Sequence, residues 1–209
     1  MIATLANIIR GKRSEDGLAA TEFGLIAIPL FIMLLGGMDL AHQAYSRALL
    51  QGALNDAARR ASVEDPSFTA AGSTLEERIK NTVTSQVSYI APKASYNVKI
   101  SNYFDFAGVG KPEKLLTDVD GNGQYDETDG DCFEDLNDNG SYDLDAGRTG
   151  VGGSDDVVFY EVTMSMPRLF PMANLMGLDD TMETTAEAAI RNQPYATQAV
   201  VPTVCGEPA

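Results

Sequence analysis

A long apolar run dominates the first part of the chain. Leu18–Met38 contains one charged residue, Glu22, and its 21 residues would form a helix of about 30 Å, which is enough to cross the hydrocarbon core of a bilayer. Basic residues cluster within positions 10–13, and the next basic residue is Arg47. The pattern predicts a single membrane-spanning helix whose N-terminal end is cytoplasmic and whose C-terminal side lies outside.

The helical pattern continues beyond the apolar run. Alanine and leucine occupy one side of the following segment, and polar residues recur at every fourth position on the other. These polar positions are Asp39, Gln43, Arg47, Gln51, Asn55 and Arg59. We therefore predict one helix over 18–63, with residues 18–38 as its transmembrane part.

The rest of the chain, 64–209, has the pattern of a mixed domain. Ser73-Thr74-Leu75-Glu76 is typical of a capping box and predicts a second helix that ends near Ile90. Alternating apolar and polar residues predict strands at 96–104, 157–166 and 182–190. The expected fold class is α+β, in which the long N-terminal helix packs on a small antiparallel sheet.

An acidic insert, Asp118–Asp145, separates the first two predicted strands. It has 28 residues with eleven acids and no basic residue. Within it, Asp-Val-Asp-Gly-Asn-Gly-Gln-Tyr-Asp from Asp118 aligns with Asp-Leu-Asn-Asp-Asn-Gly-Ser-Tyr-Asp from Asp135, a repeat with a period of 17 residues. Calcium takes six to eight oxygen ligands, and oxygens at alternate loop positions with glycine at the sixth suit that coordination. We expect about two calcium ions here.

The repeat defines two candidate ligand sets. The first is Asp118, Asp120, Asn122, the carbonyl of Gln124, Asp126 and Asp129; the second is Asp135, Asn137, Asn139, the carbonyl of Ser141 and Asp143. The second loop has Ala146 where the first has Asp129, so Asp145, Asp131 or water would complete it. The pattern resembles the calcium loops of EF-hands, dockerins and thrombospondin type 3 repeats. The alternative is a disordered acidic linker.

Net charge and cysteine content narrow the classes of function. The formal charge of −15 disfavours nucleic acid as a partner. Cys132 and Cys205 both fall on the predicted outer side, where a disulfide can persist; two unrelated thiols are the alternative. His42 is the single histidine, and there is no second one to form a zinc or general-base site with it. The sequence also has no arrangement of acidic and basic residues that would predict an enzyme.

Glu22 is the residue that the membrane helix does not explain. An unpaired carboxylate in a bilayer costs about 2.5–3.5 kcal/mol at the centre on insertion scales. Cleavage after Gly17 would give Leu18 a free amine one helical turn away, or near Glu22 of a neighbouring copy. This stretch resembles the prepilin-peptidase site of type IV pilins, since it has Gly17, four uncharged residues, Glu22-Phe23 and then the apolar run. The Glu-Phe pair resembles that of the Flp, or tight-adherence, branch.

The segment from Ala186 to Tyr195 is similar to the closing segment of TadE-like pseudopilins. The resemblance implies a minor pilin or pseudopilin with a leader at 1–17, cut by prepilin peptidase between Gly17 and Leu18. Such a protein would lie in the inner membrane, with its outer domain periplasmic or extracellular. Its expected partners are other pilins or pseudopilins and the pilus assembly platform.

Two other interpretations of the N-terminal part remain open at this point. A cleaved secretory signal would need a small-residue site near Gly36-Gly37. An uncleaved signal anchor fits the charge and length but leaves Glu22 unexplained. The anchor interpretation would make the protein an unprocessed, single-span, calcium-dependent binding module.

Overall fold

The computed structural model describes residues 16–170, 177 and 179–208. Most of the predicted leader, including its basic residues, therefore lies outside the described residues. The chain divides into two compact units. The first is Met1–His42 with Arg168–Asp180, and the second is Gln43–Pro167 with Thr181–Ala209.

A single long helix, α1, spans Asp16–Ala61 and continues through Pro29. The predicted long helix is confirmed. Among the described residues it is the one helix long and apolar enough to cross a membrane. Its apolar side chains from Leu18 to Leu34 are largely exposed, as expected for a surface that faces lipid or neighbouring helices.

The second helix, α2, spans Leu75–Val87, and its N-terminal cap lies one residue later than predicted. Thr74 is the N-cap residue and accepts a bond from the backbone N–H of Glu77 at 3.2 Å. The Glu77 carboxylate in turn accepts the backbone N–H of Ser73 at 2.7 Å and its hydroxyl at 2.6 Å. The reciprocal capping partner is thus Glu77 and not Glu76, and these bonds lower the pKa of Glu77.

The main sheet is antiparallel, with strand order β4-β1-β5-β6. Its strands are β1 (Ser95–Tyr103), β4 (Arg148–Thr149), β5 (Val157–Pro167) and β6 (Thr181–Arg191). The three predicted strands correspond to β1, β5 and β6, each within one residue of the predicted bounds. The α+β class is therefore confirmed.

A hydrophobic core lies in the second unit, between the two helices and the main sheet. The outer half of α1 contributes residues three or four positions apart, among them Leu50, Leu54 and Ala57, all fully buried. Ile79 and Val83 of α2 and the inward residues of β5 complete it. Because α1 supplies this face, the second unit needs the helix from about Gln43 onward.

A second, smaller sheet carries the acidic insert. Its order is β2-β3-β7, formed by Lys114–Thr117, Cys132–Glu134 and Thr203–Cys205. A short 3₁₀ helix at Glu127–Asp129 follows the first half of the repeat. These short strands hold the two halves of the repeat on either side of β3.

Candidate functional site

The two halves of the acidic repeat fold into loops of the same conformation. With Asp118 and Asp135 counted as position one, each carboxylate accepts the backbone N–H groups of positions five and six. The distances are 3.2 and 2.8 Å for Asp118 and 3.1 and 2.7 Å for Asp135. Position six is glycine in both, and Gly123 and Gly140 have φ of 78° and 77°. Glycine is the residue that adopts this left-handed conformation without a steric cost.

In the first loop, three of the predicted carboxylate ligands lie together. Carboxylate oxygens of Asp120, Asp126 and Asp129 are within 4.8 Å of one another. The side-chain amide of Asn122 donates to Asp120 at 2.9 Å and to Asp126 at 2.8 Å, and its oxygen accepts the N–H of Gln124 at 2.6 Å. Backbone donors, that of Gly123 first, hold the pKa of Asp118 below its usual value.

In the second loop, the equivalent side chains converge on Asp143. The amides of Asn137 and Asn139 both donate to one Asp143 oxygen, at 2.7 and 2.5 Å. These two bonds hold the pKa of Asp143 below its usual value. The Asn139 oxygen accepts the N–H of Ser141 at 2.7 Å. The polar side chains of each loop are thus hydrogen-bonded to one another.

The repeated tyrosines join the loops to each other. Tyr125 and Tyr142, at position eight of each loop, stack with ring centroids 4.9 Å apart and an interplanar angle of 19°. Both contact the edge or face of the buried Phe133 ring on β3, at 5.0 and 5.4 Å. This aromatic contact explains why tyrosine recurs with the period of the repeat, and it makes the loops one structural pair.

Each loop is closed by a buried carboxylate that lies outside the repeated sequence. Asp131 accepts the backbone N–H groups of positions two and nine of the first loop, at 2.8 and 2.9 Å. Glu113 accepts the same two positions of the second loop, at 2.7 and 3.1 Å. Asp131 was a candidate for the second loop, but in the structure it serves the first. Glu113 was not predicted from the sequence.

The remaining predicted closing residue, Asp145, is engaged elsewhere. It forms a hydrogen bond with the hydroxyl of Tyr103, whose pKa is raised chiefly by burial and further by this carboxylate. Its carboxylate also accepts the backbone N–H of Gly147 at 3.2 Å. The carboxylate that accepts backbone N–H groups of the second loop is that of Glu113 and not that of Asp145.

The loop pair contains buried carboxylates without a cationic partner. Glu113, Asp131 and Asp135 are 2%, 0% and 2% exposed. Among the described residues, the four ion pairs involve other acids, so none of these three is paired with lysine or arginine. Burial raises the pKa of Glu113 above its usual value. Buried charges of one sign are costly unless a counter-charge or a metal ion neutralises them.

A disulfide borders the first loop. Cys132 and Cys205 occupy paired positions on β3 and β7, and their sulfur atoms are bonded at 2.04 Å. The next residue, Gly206, donates its N–H to the carbonyl of Asp131 at 2.9 Å. The C-terminal strand is therefore attached, through the bond and the sheet, to the residue that closes the first loop.

The predicted processing segment lies at the start of α1. Leu18, Glu22 and Phe23 are exposed on the helix, and Glu22 has no ion-pair partner among the described residues. Thr21 instead donates its hydroxyl to the carbonyl of Leu18 at 2.8 Å.

Comparison with protein families gives one finding for this helix. Residues 17–59 match the family model described as TadE-like protein. The TadE-like match begins at Gly17, includes Glu22 and covers most of α1. It supports a place in a TadE-like pilin family, which is structural and not enzymatic, and it agrees with membrane anchoring. Neither the search of curated proteins nor that of solved structures finds a match.

Proposed function

We propose that this protein is a minor pilin or pseudopilin of a tight-adherence, Flp-type pilus or secretion system. The observation that carries the proposal is the TadE-like match over 17–59, which coincides with the one described helix that could span a membrane. The helix would anchor the protein in the inner membrane and pack with other pilins. The outer domain would be displayed on the periplasmic or extracellular side.

Processing after Gly17 gives Glu22 a defined role in this proposal. Residues four apart on a helix are neighbours, about 5–6 Å between Cβ atoms. A free amine at Leu18 could therefore neutralise Glu22 of the same chain or of an adjacent one. An ion pair of this kind would fix the axial position of one helix against the next, while an unprocessed anchor has no use for it.

Blocking the cut tests the proposal. Gly17→Ala, expressed with the prepilin peptidase and partner pilins, should accumulate as a slower-migrating precursor that does not co-purify with pilins. Gly24→Ala is the matched control, because an added Cβ there has no neighbour within 4 Å. The control should be processed and assembled as wild type. If Gly17→Ala and wild type migrate alike and both assemble, the processed-pilin proposal fails and the unprocessed anchor is favoured.

The same proposal assigns calcium to the outer domain. Supporting it are the three buried carboxylates, Glu113, Asp131 and Asp135, which no basic side chain neutralises among the described residues. Asp131 serves the first loop in addition to Asp129, and Glu113 serves the second loop, for which Asp145 was expected. With an ion bound, Asp131 and Glu113 would each keep their two backbone donors and supply negative charge beside their loop.

Calcium fits this donor set better than magnesium. The loops offer carboxylate and amide oxygens on flexible turns, whereas magnesium keeps a rigid octahedral shell rich in water. Calorimetric titration of the full chain in detergent should give about two calcium ions, with magnesium binding much more weakly. Absence of binding at millimolar calcium would leave the repeat as an acidic linker and remove this half of the proposal.

A further inference from the structure

The segment between β5 and β6 has an apolar sequence, and the residues at its two ends, which form its base, are hydrogen-bonded to each other. Residues 169–178 contain no charged side chain. At the base, Arg168 donates its backbone N–H to the Asp180 carbonyl at 2.9 Å, and its Nε donates to the Asp179 carbonyl at 2.7 Å. The chain therefore enters and leaves this uncharged segment at the same place.

That base is bonded to α1 at Asp39. Nη1 of Arg168 lies 2.9 Å from Oδ2 of Asp39, and the backbone N–H of Leu169 donates to Oδ1 at 3.0 Å. Asp39 is only 7% exposed, so its charge is covered by Arg168. A partly buried charge-assisted pair with a second, backbone donor is a fixed contact, unlike a mobile surface ion pair.

The position of Asp39 along α1 determines where this contact lies relative to the proposed membrane span. Asp39 is the first charged residue after Glu22, so it marks the outer end of the proposed membrane span. Its neighbours Met38 and Leu40 are exposed apolar side chains, continuous with the exposed apolar surface of the span. Leu169, which follows the ion-paired Arg168, is itself 50% exposed.

We propose that Leu169 and Phe170 lie in the outer lipid interface of the membrane, where the Arg168–Asp39 pair holds them. This inference rests on the proposed membrane span of α1. Leu169 and Phe170 then contact lipid at the boundary between headgroups and acyl chains, and they give the protein a second point of attachment to the bilayer besides its helix. The occupant of this surface is phospholipid.

Tryptophan fluorescence provides the test, because the chain has no tryptophan of its own. Leu169→Trp in the full chain is reconstituted into phosphatidylcholine vesicles that contain lipid brominated either near the headgroup or near the chain ends. Phe31→Trp reports the proposed span, and Tyr89→Trp, at a site 92% exposed, reports the aqueous domain. Phe170→Trp serves as a second reporter of the interface.

We expect Leu169→Trp to be quenched most by bromine near the headgroup, and several-fold less by aqueous iodide than Tyr89→Trp. Combining Asp39→Asn with Leu169→Trp should move the quenching by brominated lipid and by iodide toward the values of Tyr89→Trp, since the Arg168–Asp39 ion pair is lost. If Leu169→Trp and Phe170→Trp behave like Tyr89→Trp while Phe31→Trp is quenched by bromine near the chain ends, the inference is overturned and the span stands.

Two further results would also overturn it. If neither brominated lipid quenches Phe31→Trp, the proposed span itself fails, and the lipid contact fails with it. If Leu169→Trp is shielded from iodide without bromolipid quenching, and the shielding disappears when the protein is diluted in lipid, a second copy of the chain covers the surface.

Discussion

Glu113→Gln is the substitution that examines the calcium loops most closely. The two oxygens of Glu113 accept the N–H groups of Leu136 and Asp143, at 2.7 and 3.1 Å. Glutamine keeps the shape but has one oxygen, so one of these donors would face an amide NH₂. A buried donor without an acceptor costs about 1–3 kcal/mol. Removing an unpaired buried charge offsets that cost by a comparable amount, so stability in chelator should change little.

In calcium the same variant should lose the contribution of one ion. A ligand present at about 100 times its Kd stabilises the folded state by about 2.7 kcal/mol per site. Two sites would therefore give wild type about 5 kcal/mol, and the variant should retain about half. For a chain of this size, 1 kcal/mol corresponds to about 2–4 °C in Tm. The calcium-dependent rise in Tm should thus fall from about 10–20 °C to about half of that.

The assay is thermal unfolding of the full chain in detergent, with chelator and with excess calcium. Glu127→Gln is the matched control, since it removes one charge from the adjacent acidic insert at an exposed position. The control should keep the full calcium-dependent rise and a stoichiometry near two, whereas Glu113→Gln should bind one ion. If Glu113→Gln keeps the full rise, or if both variants lose it equally, the closing role of Glu113 is wrong.

Three further variants probe other contacts. Cys205→Ser opens a loop whose ends are 73 residues apart and should lower stability by about 4 kcal/mol in the chain-entropy model, measured by denaturant unfolding; an unchanged midpoint would contradict this. Tyr125→Ala removes the 4.9 Å ring stack between the loops, so the two calcium sites should titrate independently and more weakly in calorimetry, while wild-type isotherms would argue against coupling. Glu22→Gln should leave insertion and leader removal intact but reduce cross-linking to partner pilins, and normal cross-linking would refute the ion-pair role.

The long helix and the main sheet could be predicted because local patterns determine them. An apolar run of membrane length followed by a helical stripe gives α1, and strict alternation gives β1, β5 and β6. The N-cap of α2 was predicted one residue too early, because both Ser73 and Thr74 have side chains that could cap a helix. The local pattern fits either residue, and in the structure Thr74 is the cap.

The loop conformation was also evident from the sequence, through the period that relates Asp118 to Asp135 and Tyr125 to Tyr142. Glu113 was not, because it lies outside the repeat between two lysines, in a segment that looks solvent-exposed. Its role arises when β2 pairs with β3 and brings it against the second loop. The short strands of the second sheet were missed for the same reason, since their pairing joins residues far apart in the chain.

The central claim is that this protein is a processed pilin, and its mature N-terminus tests that claim most directly. The protein should be recovered from the membranes of cells that contain the prepilin peptidase, and its first residues should be sequenced. A processed protein should begin Leu18-Ala19-Ala20-Thr21-Glu22, with the amine one turn from the carboxylate. An N-terminus at Met1 would leave an unprocessed anchor, and one at Met38 would indicate a cleaved secretory signal; either result would contradict the account.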